Sequence, residues 1–178
     1  MIDEKFNEHI KSNTGCAVIL AGSGSDDKPK AEGEKSHIQK IAESLDKYKI
    51  PYQVRICSAH KQPEKLMEII NEYNGLSGLV AFVAVAGGTD ALSGTLSYHV
   101  LGPVISCPPD APNDSCLRNP PGSSNAYIAK PANVGRFIAQ MYAGINPKYH
   151  TLLETDKGAK LEALETDDFK INEKYRGE

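Results

Sequence analysis

Two patterns of hydrophobic and polar residues alternate along this chain. Continuously apolar runs, Gly15–Ala21 (GCAVILA) and Leu79–Ala86 (LVAFVAVA), read as strands buried on both faces. Tyr52–Cys57 and Pro103–Cys107 read as further strands, with Ala126–Ala129 a short fifth. Between them, apolar residues recur at helical spacing. One such face is Ile38, Ile41, Ala42, Leu45 and Tyr48. A second is Leu66, Met67, Ile69, Ile70 and Tyr73, behind a Pro63 suited to a first helical position. A third, opened by Pro131, is Val134, Phe137, Ile138, Met141 and Ile145. A short helix is expected from about Ala91 to Val100. Pro108–Asn125, rich in Pro, Ser and Asn, reads as a loop without regular structure. From Lys148 the chain is mostly polar and predicts a peripheral helix, frayed over Lys170–Glu178.

Strands that are apolar throughout and alternate with helices imply a parallel sheet covered on both faces. The expected fold class is therefore α/β: a flavodoxin-like three-layer αβα sandwich with a C-terminal helical extension. The expected division is a polar N-terminal extension over 1–14, an α/β domain over 15–147 and a helical tail over 148–178. No internal repeat and no interdomain linker is visible.

In such sheets ligands bind beyond the carboxyl ends of the strands, near the switch point of the topology. Three loops follow predicted strands directly: Gly22-Ser23-Gly24-Ser25-Asp26, Ser58-Ala59-His60-Lys61, and Gly87-Gly88-Thr89-Asp90-Ala91-Leu92. All three therefore fall on one sheet edge and form one candidate site. Glycines and serines at a helix entrance suit a phosphate. Asp26 would repel phosphate, so it better accepts bonds from ribose hydroxyls or caps the helix. His60 is the side chain best matched to proton transfer near neutral pH, and Lys61 beside it offers a cation. The glycine loop after the most buried strand could surround a flat heterocycle or a carboxylate. Taken singly, the first loop is equally a plain strand-to-helix turn, the second a surface His-Lys pair at a helix start and the third a close packing of helix on strand; their common edge favours a site. His99, at the far end of a short helix, reads as structural or exposed; His9, His37 and His150 sit in polar context and carry no usable signal, and no His, Cys and acidic cluster has metal-ligand spacing, so no metal is expected.

Composition narrows the classes. The chain has 178 residues, 40% hydrophobic and 24% charged, which suits one globular domain. A net charge of −3 gives no reason to expect a nucleic-acid surface. No apolar run reaches the length of a membrane span, and the first residues lack the apolar stretch of a secretory signal. The four cysteines contain no CxxC pair, and three lie in strand-like stretches where a thiol behaves as a small hydrophobe. A reducing cytoplasm is the expected compartment.

The three loops, in this order, resemble the PurE family of purine biosynthesis, whose pattern is a GSxSD loop, a SAH followed by Arg or Lys, and a later AGG- or AGR-type loop. The likeness runs from about Cys16 to Gly144. It implies a flavodoxin-type domain that self-associates, as a homo-octamer or a smaller homo-oligomer. The class that rearranges N5-carboxy-AIR reads SAHRTP and AGGAAHLPG, with a second histidine; here Lys61 follows His60, and Ala91 stands where that histidine would fall. Val104–Pro109 (VISCPP) and Leu117–Gly122 (LRNPPG) are similar instead to the class that carboxylates 5-aminoimidazole ribonucleotide (AIR) with CO2 directly, giving 4-carboxy-AIR (CAIR). By this resemblance Ser23, Ser25 and Asp26 would bind the ribose phosphate, with Lys61 as the cation. His60 would remove the C4 proton. Thr89 and its neighbours would hold CO2 or the new carboxylate. No cofactor is implied; CO2 or bicarbonate is a substrate. An apparent insertion follows the first loop at Lys28–Ser36, and Gly88 replaces an arginine of animal relatives. The alternatives are the N5-carboxy-AIR mutase and a non-catalytic nucleotide- or flavin-binding module. A flavin is disfavoured by the absence of Trp and of aromatics in the three loops.

Overall fold

The computed structural model describes residues 2–12 and 14–176. Five parallel strands, β1 (Cys16–Ala21), β2 (Tyr52–Ile56), β3 (Val80–Val85), β4 (Val104–Ser106) and β5 (Ala126–Tyr127), form one sheet in the order β2-β1-β3-β4-β5. This is the flavodoxin-like order, with its switch point between β1 and β3. β1 and β3 are buried at every position. Side chains alternate across a strand, so these apolar runs feed two cores at once. Cys16, Val18, Leu20, Val80, Phe82 and Ala84 face one cluster. Ala17, Ile19, Ala21, Ala81, Val83 and Val85 face the other.

The first core is covered by α1 (Glu4–Lys11), α3 (Pro63–Asn74) and α4 (Leu92–His99). The second is covered by α2 (His37–Lys47), α5 (Val134–Tyr142) and the start of α6 (Pro147–Tyr175). α2 opens with a capping box, in which Ser36 Oγ accepts from Gln39 N and Ser36 N donates to the Gln39 side chain. α5 can lie this close to α2 because Gly135 has no side chain: a Cβ there would sit 1.8 Å from the Ser44 carbonyl oxygen. Instead the Gly135 N–H donates to Ser44 Oγ at 2.9 Å.

Several elements depart from the sequence pattern. The N-terminal segment, read as a polar extension, contains α1, which sends Phe6 and Ile10 into the first core. Phe6 meets Tyr73 edge-on with ring centroids 6.0 Å apart, and Tyr73 meets Phe82 at 5.9 Å. Two apolar residues in eight are too few for a periodic signal. The expected fraying from Lys170 is corrected: α6 is continuous to Tyr175, and residues 177–178 lie outside the described residues. Pro108–Asn125 is not wholly irregular, since Asp114–Leu117 forms a 3-10 turn. β5 is two residues rather than four, and a 3-10 turn at Pro131–Asn133 precedes α5. The sheet is not fully covered either: on the edge strand β2, Val54 and Ile56 stay exposed. All four cysteines are buried and unpaired; burial pushes the Cys16 and Cys107 thiols up to about 12 and raises Cys57 and Cys116 as well.

The start of α6 is clasped to the body through Asp156. Its carboxylate, 8% exposed, accepts from Tyr48 Oη at 2.6 Å, Arg136 at 3.1 Å and Lys160 at 3.0 Å, and pairs with Lys47. Burial opposes the charge, but the bonds from Lys47, Tyr48 and Lys160 outweigh it and hold the carboxyl well below the usual carboxylate range. Its pKa is lower folded than unfolded, so the stability it contributes is complete above about pH 4 and is lost as pH falls further. Asp156→Ala should lower unfolding free energy at neutral pH by about 2 kcal/mol, the cations being partly solvated. Urea unfolding at pH 7 and pH 3 checks this: the deficit should shrink at pH 3.

Candidate active site

The carboxyl ends of β1, β2 and β3 open onto one cavity of about 410 Å³. From the first loop, Gly22, Ser23, Ser25 and Asp26 line it; from the second, Ser58, Ala59, His60 and Lys61; from the third, Ala86, Gly87, Thr89, Ala91 and Leu92. The single edge expected from the strand order is therefore the edge that forms. Of the third loop, Gly88 and Asp90 do not line the wall. Ala59 and Ala86 do, although no side-chain chemistry singles them out in the sequence.

The first loop is shaped locally. Gly22 N still donates to Val85 O, so the loop leaves the sheet beside the end of β3. Ser23 caps a 3-10 turn over Gly24–Asp27, accepting from Ser25 N at 3.2 Å, and the two hydroxyls lie 2.8 Å apart. Both serines are exposed, so their hydroxyls remain available to an anionic ligand. Burial raises the Asp26 carboxyl; the Ser23 backbone N–H opposes this, and the charges of Asp110 and Asp90 add to it.

The second loop is a turn into α3: Gln62 N donates to Ser58 O at 2.9 Å and Lys61 N to Ser58 Oγ at 3.3 Å. Ser58 thus fixes the turn while His60 and Lys61 project from it, both exposed. The His60 ring and the Lys61 ammonium make no side-chain hydrogen bond or ion pair among the described residues. That leaves the imidazole free to take or give a proton and the cation free for a ligand.

The third loop is held by residues that sequence reasoning passed over. Gly88 takes a left-handed backbone, φ +67°, which glycine adopts without strain. Its N–H donates to Asp110 Oδ2 at 2.7 Å, and its carbonyl accepts from Asn113 Nδ2 at 2.8 Å and Ser115 Oγ at 3.1 Å. Asp90 N donates to Ser115 Oγ at 2.9 Å, and the Asp90 carboxylate accepts from Ser93 N at 2.9 Å. Asp90 therefore caps the start of α4 from a buried position. Burial disfavours the Asp110 charge, yet the Gly88 N–H and the Asn113 side chain, with a smaller pull from Lys30, hold its carboxyl below the usual range. The Pro108–Asn125 segment thus buttresses the third loop of its own chain. No periodicity marks these three residues; the one available signal is an Asp-Asn-Ser set in a proline-rich loop, a combination that commonly binds backbone. His37 is likewise placed differently from its polar context: half-buried, its Nε2 lies 2.9 Å from Cys107 O.

The family model described as AIR carboxylase matches residues 16–162. A phosphoribosylaminoimidazole carboxylase of Treponema denticola is 31% identical over 162 residues, covering 86% of this chain and 96% of that protein. A bifunctional phosphoribosylaminoimidazole carboxylase/phosphoribosylaminoimidazole succinocarboxamide synthetase of Rattus norvegicus is 34% identical over 171 residues. That match takes 92% of this chain but 38% of the rat protein, so the chain spans well under half of that relative. The crystal structure of Treponema denticola PurE superposes with a TM-score of 0.77 at 29% identity, over 92% of this chain and 99% of that one.

The Asp110 contact yields a local prediction. Asp110→Ala removes a charged acceptor from the Gly88 N–H, a bond worth about 1 kcal/mol at a partly exposed site. Amide exchange at Gly88, followed by NMR, should accelerate about fivefold, while exchange in β1 stays unchanged. Unaltered Gly88 exchange would remove Asp110 from this role.

Proposed function

The chain belongs to the AIR carboxylase family, and from that premise we propose that it joins AIR and CO2 to give 4-carboxy-AIR in purine biosynthesis. One observation carries this reading: His60, Lys61, the serines of the first loop and the glycine loop line a single cavity, although the sequence separates them by dozens of residues. Ala91, where the mutase pattern has a second histidine, favours direct use of CO2 over rearrangement of N5-carboxy-AIR.

In this reading Ser23, Ser25 and Lys61 hold the 5′-phosphate, and Asp26 accepts from the ribose hydroxyls. The 5-amino group feeds electron density to C4 of the ring, which attacks the carbon of CO2. A carbon–carbon bond forms, and one C–O π pair becomes a carboxylate lone pair, held by Gly87 and Thr89 of the third loop. C4 then carries both hydrogen and carboxylate. His60, as neutral imidazole, takes that proton, and the C–H pair restores the aromatic ring. The exposed imidazolium passes the proton to water. The substrate ring is already a nucleophile, so the chain's task is orientation and one proton transfer, with no cofactor.

We also propose that the protein works in the cytoplasm, in keeping with four free thiols. It self-associates through α6: Leu161, Leu164, Ile171 and Tyr175 recur on one side of this helix and are all exposed. Leu164→Glu with Ile171→Glu should lower the sedimenting mass; an unchanged mass would remove α6 from the interface.

Product absorbance with AIR plus bicarbonate, against N5-carboxy-AIR alone, tests the chemistry. Turnover should appear with AIR, rise with CO2 and be absent with N5-carboxy-AIR; the reverse would make the protein a mutase. His60→Asn should lower kcat by about a thousandfold with nucleotide binding retained, and Lys61→Ala should raise the nucleotide Kd. Turnover with neither substrate, from folded protein, would leave a binding module.

A further inference from the structure

Ser25 and Asp26 are a party wall. On their far side lies a second cavity of about 410 Å³, which the chemistry proposed above does not use. Its cationic side is built from two pieces of chain: Lys28, Lys30 and Lys35 from the segment between the first loop and α2, and Lys40 from α2 itself. Lys35 is engaged, pairing with Glu43 at 2.7 Å. Lys28, Lys30 and Lys40 have no carboxylate within ion-pair distance among the described residues. The same segment carries Asp27, Glu32 and Glu34, yet none of them lines the cavity, and Asp27 is taken by the Ser36 hydroxyl. Among the described residues Asp26 is the one carboxylate in the wall.

The opposite wall is apolar and stiff, made of Pro108, Pro109, Ala111 and Pro131. Prolines offer no N–H, so the lysines dominate as donors. His37 also lines the cleft, held to Cys107 O; its burial first, with Lys30 and Lys40 adding to it, lowers the ring's pKa against the opposing Cys107 carbonyl and Asp110 charge. In a chain of net charge −3, Lys28, Lys30 and Lys40 lining one cleft form a local positive basin against the overall field, offset in part by Asp26 in the wall and by the pull between Lys30 and Asp110. A monoanion would neutralise one of them. A ligand carrying several negative charges within a few ångströms would neutralise all three.

We propose that this cleft is a second anion site, in which Lys28, Lys30 and Lys40 hold a diphosphate or triphosphate group. The site is separate from the cavity that contains His60, and it does not depend on the carboxylase reading, because binding alone defines it. The shared wall gives it a consequence: an occupant bearing on Ser25 and Asp26 perturbs the first loop.

Calorimetric titration of the full chain with inorganic pyrophosphate, at about 50 mM and about 300 mM salt, tests the site. Saturable binding that weakens with salt is expected. The triple variant Lys28→Ala/Lys30→Ala/Lys40→Ala should weaken it at least about tenfold, and the triple Lys→Arg variant should retain it. Lys61→Ala, in the other cavity, should leave it unchanged. An unaltered melting temperature checks that the triple alanine variant is folded. ADP and adenosine separate the two sources of the phosphate chemistry: ADP should bind at least as tightly as pyrophosphate, and adenosine should not bind. Absence of saturable pyrophosphate binding, loss with Lys61→Ala rather than with the triple variant, or adenosine binding as tightly as ADP would each overturn the proposal.

Discussion

Burial of β1 and β3 on both faces is the constraint from which the rest of the molecule follows. Strands with no polar face cannot border water, so helices must cover the sheet above and below. Chain that leaves a parallel strand must also cross over before it can pair again. Each crossover therefore begins at the same edge of the sheet, and the turns after β1, β2 and β3 are brought together whatever their own sequences. The order β2-β1-β3 then opens a crevice between the first and third turns. The site is a by-product of how two hydrophobic strands avoid solvent, and chemistry has been fitted into turns that had to lie there.

What could be read from the sequence follows the same logic. β1 and β3 were legible because burial on both faces leaves an unbroken apolar run, and α2, α3 and α5 because one-sided burial leaves a helical period. The candidate loops were legible because they abut those strands. α1 was not, since two buried residues make no period, nor was the length of α6, whose outer half is exposed among the described residues. At the site, His60 and Lys61 could be named as chemical groups. Asp110, Asn113 and Ser115 could not, because they act on the backbone of Gly88 across more than twenty residues of chain, and such a contact leaves no mark on local pattern. Asp90 shows the converse: it sits within the motif, yet its carboxylate is spent on capping α4.

The site also divides rigid parts from free ones. Ser58, Asp90 and Asp110 spend their polar atoms on backbone and fix the shape of the loops. His60 and Lys61 spend none among the described residues and leave their side chains open to a ligand. Pre-organisation of this kind lowers the ordering cost of binding.

The four buried cysteines have a practical meaning for the study of this molecule. Thiolate is the species that alkylating reagents attack, and burial keeps every native thiol both protonated and out of reach. In the folded state the protein is thus silent towards such reagents. A single cysteine placed on the rim of either cavity becomes the one reactive thiol, and a spin label or fluorophore attached there reports on that loop alone, with no need to strip the natural cysteines from the core.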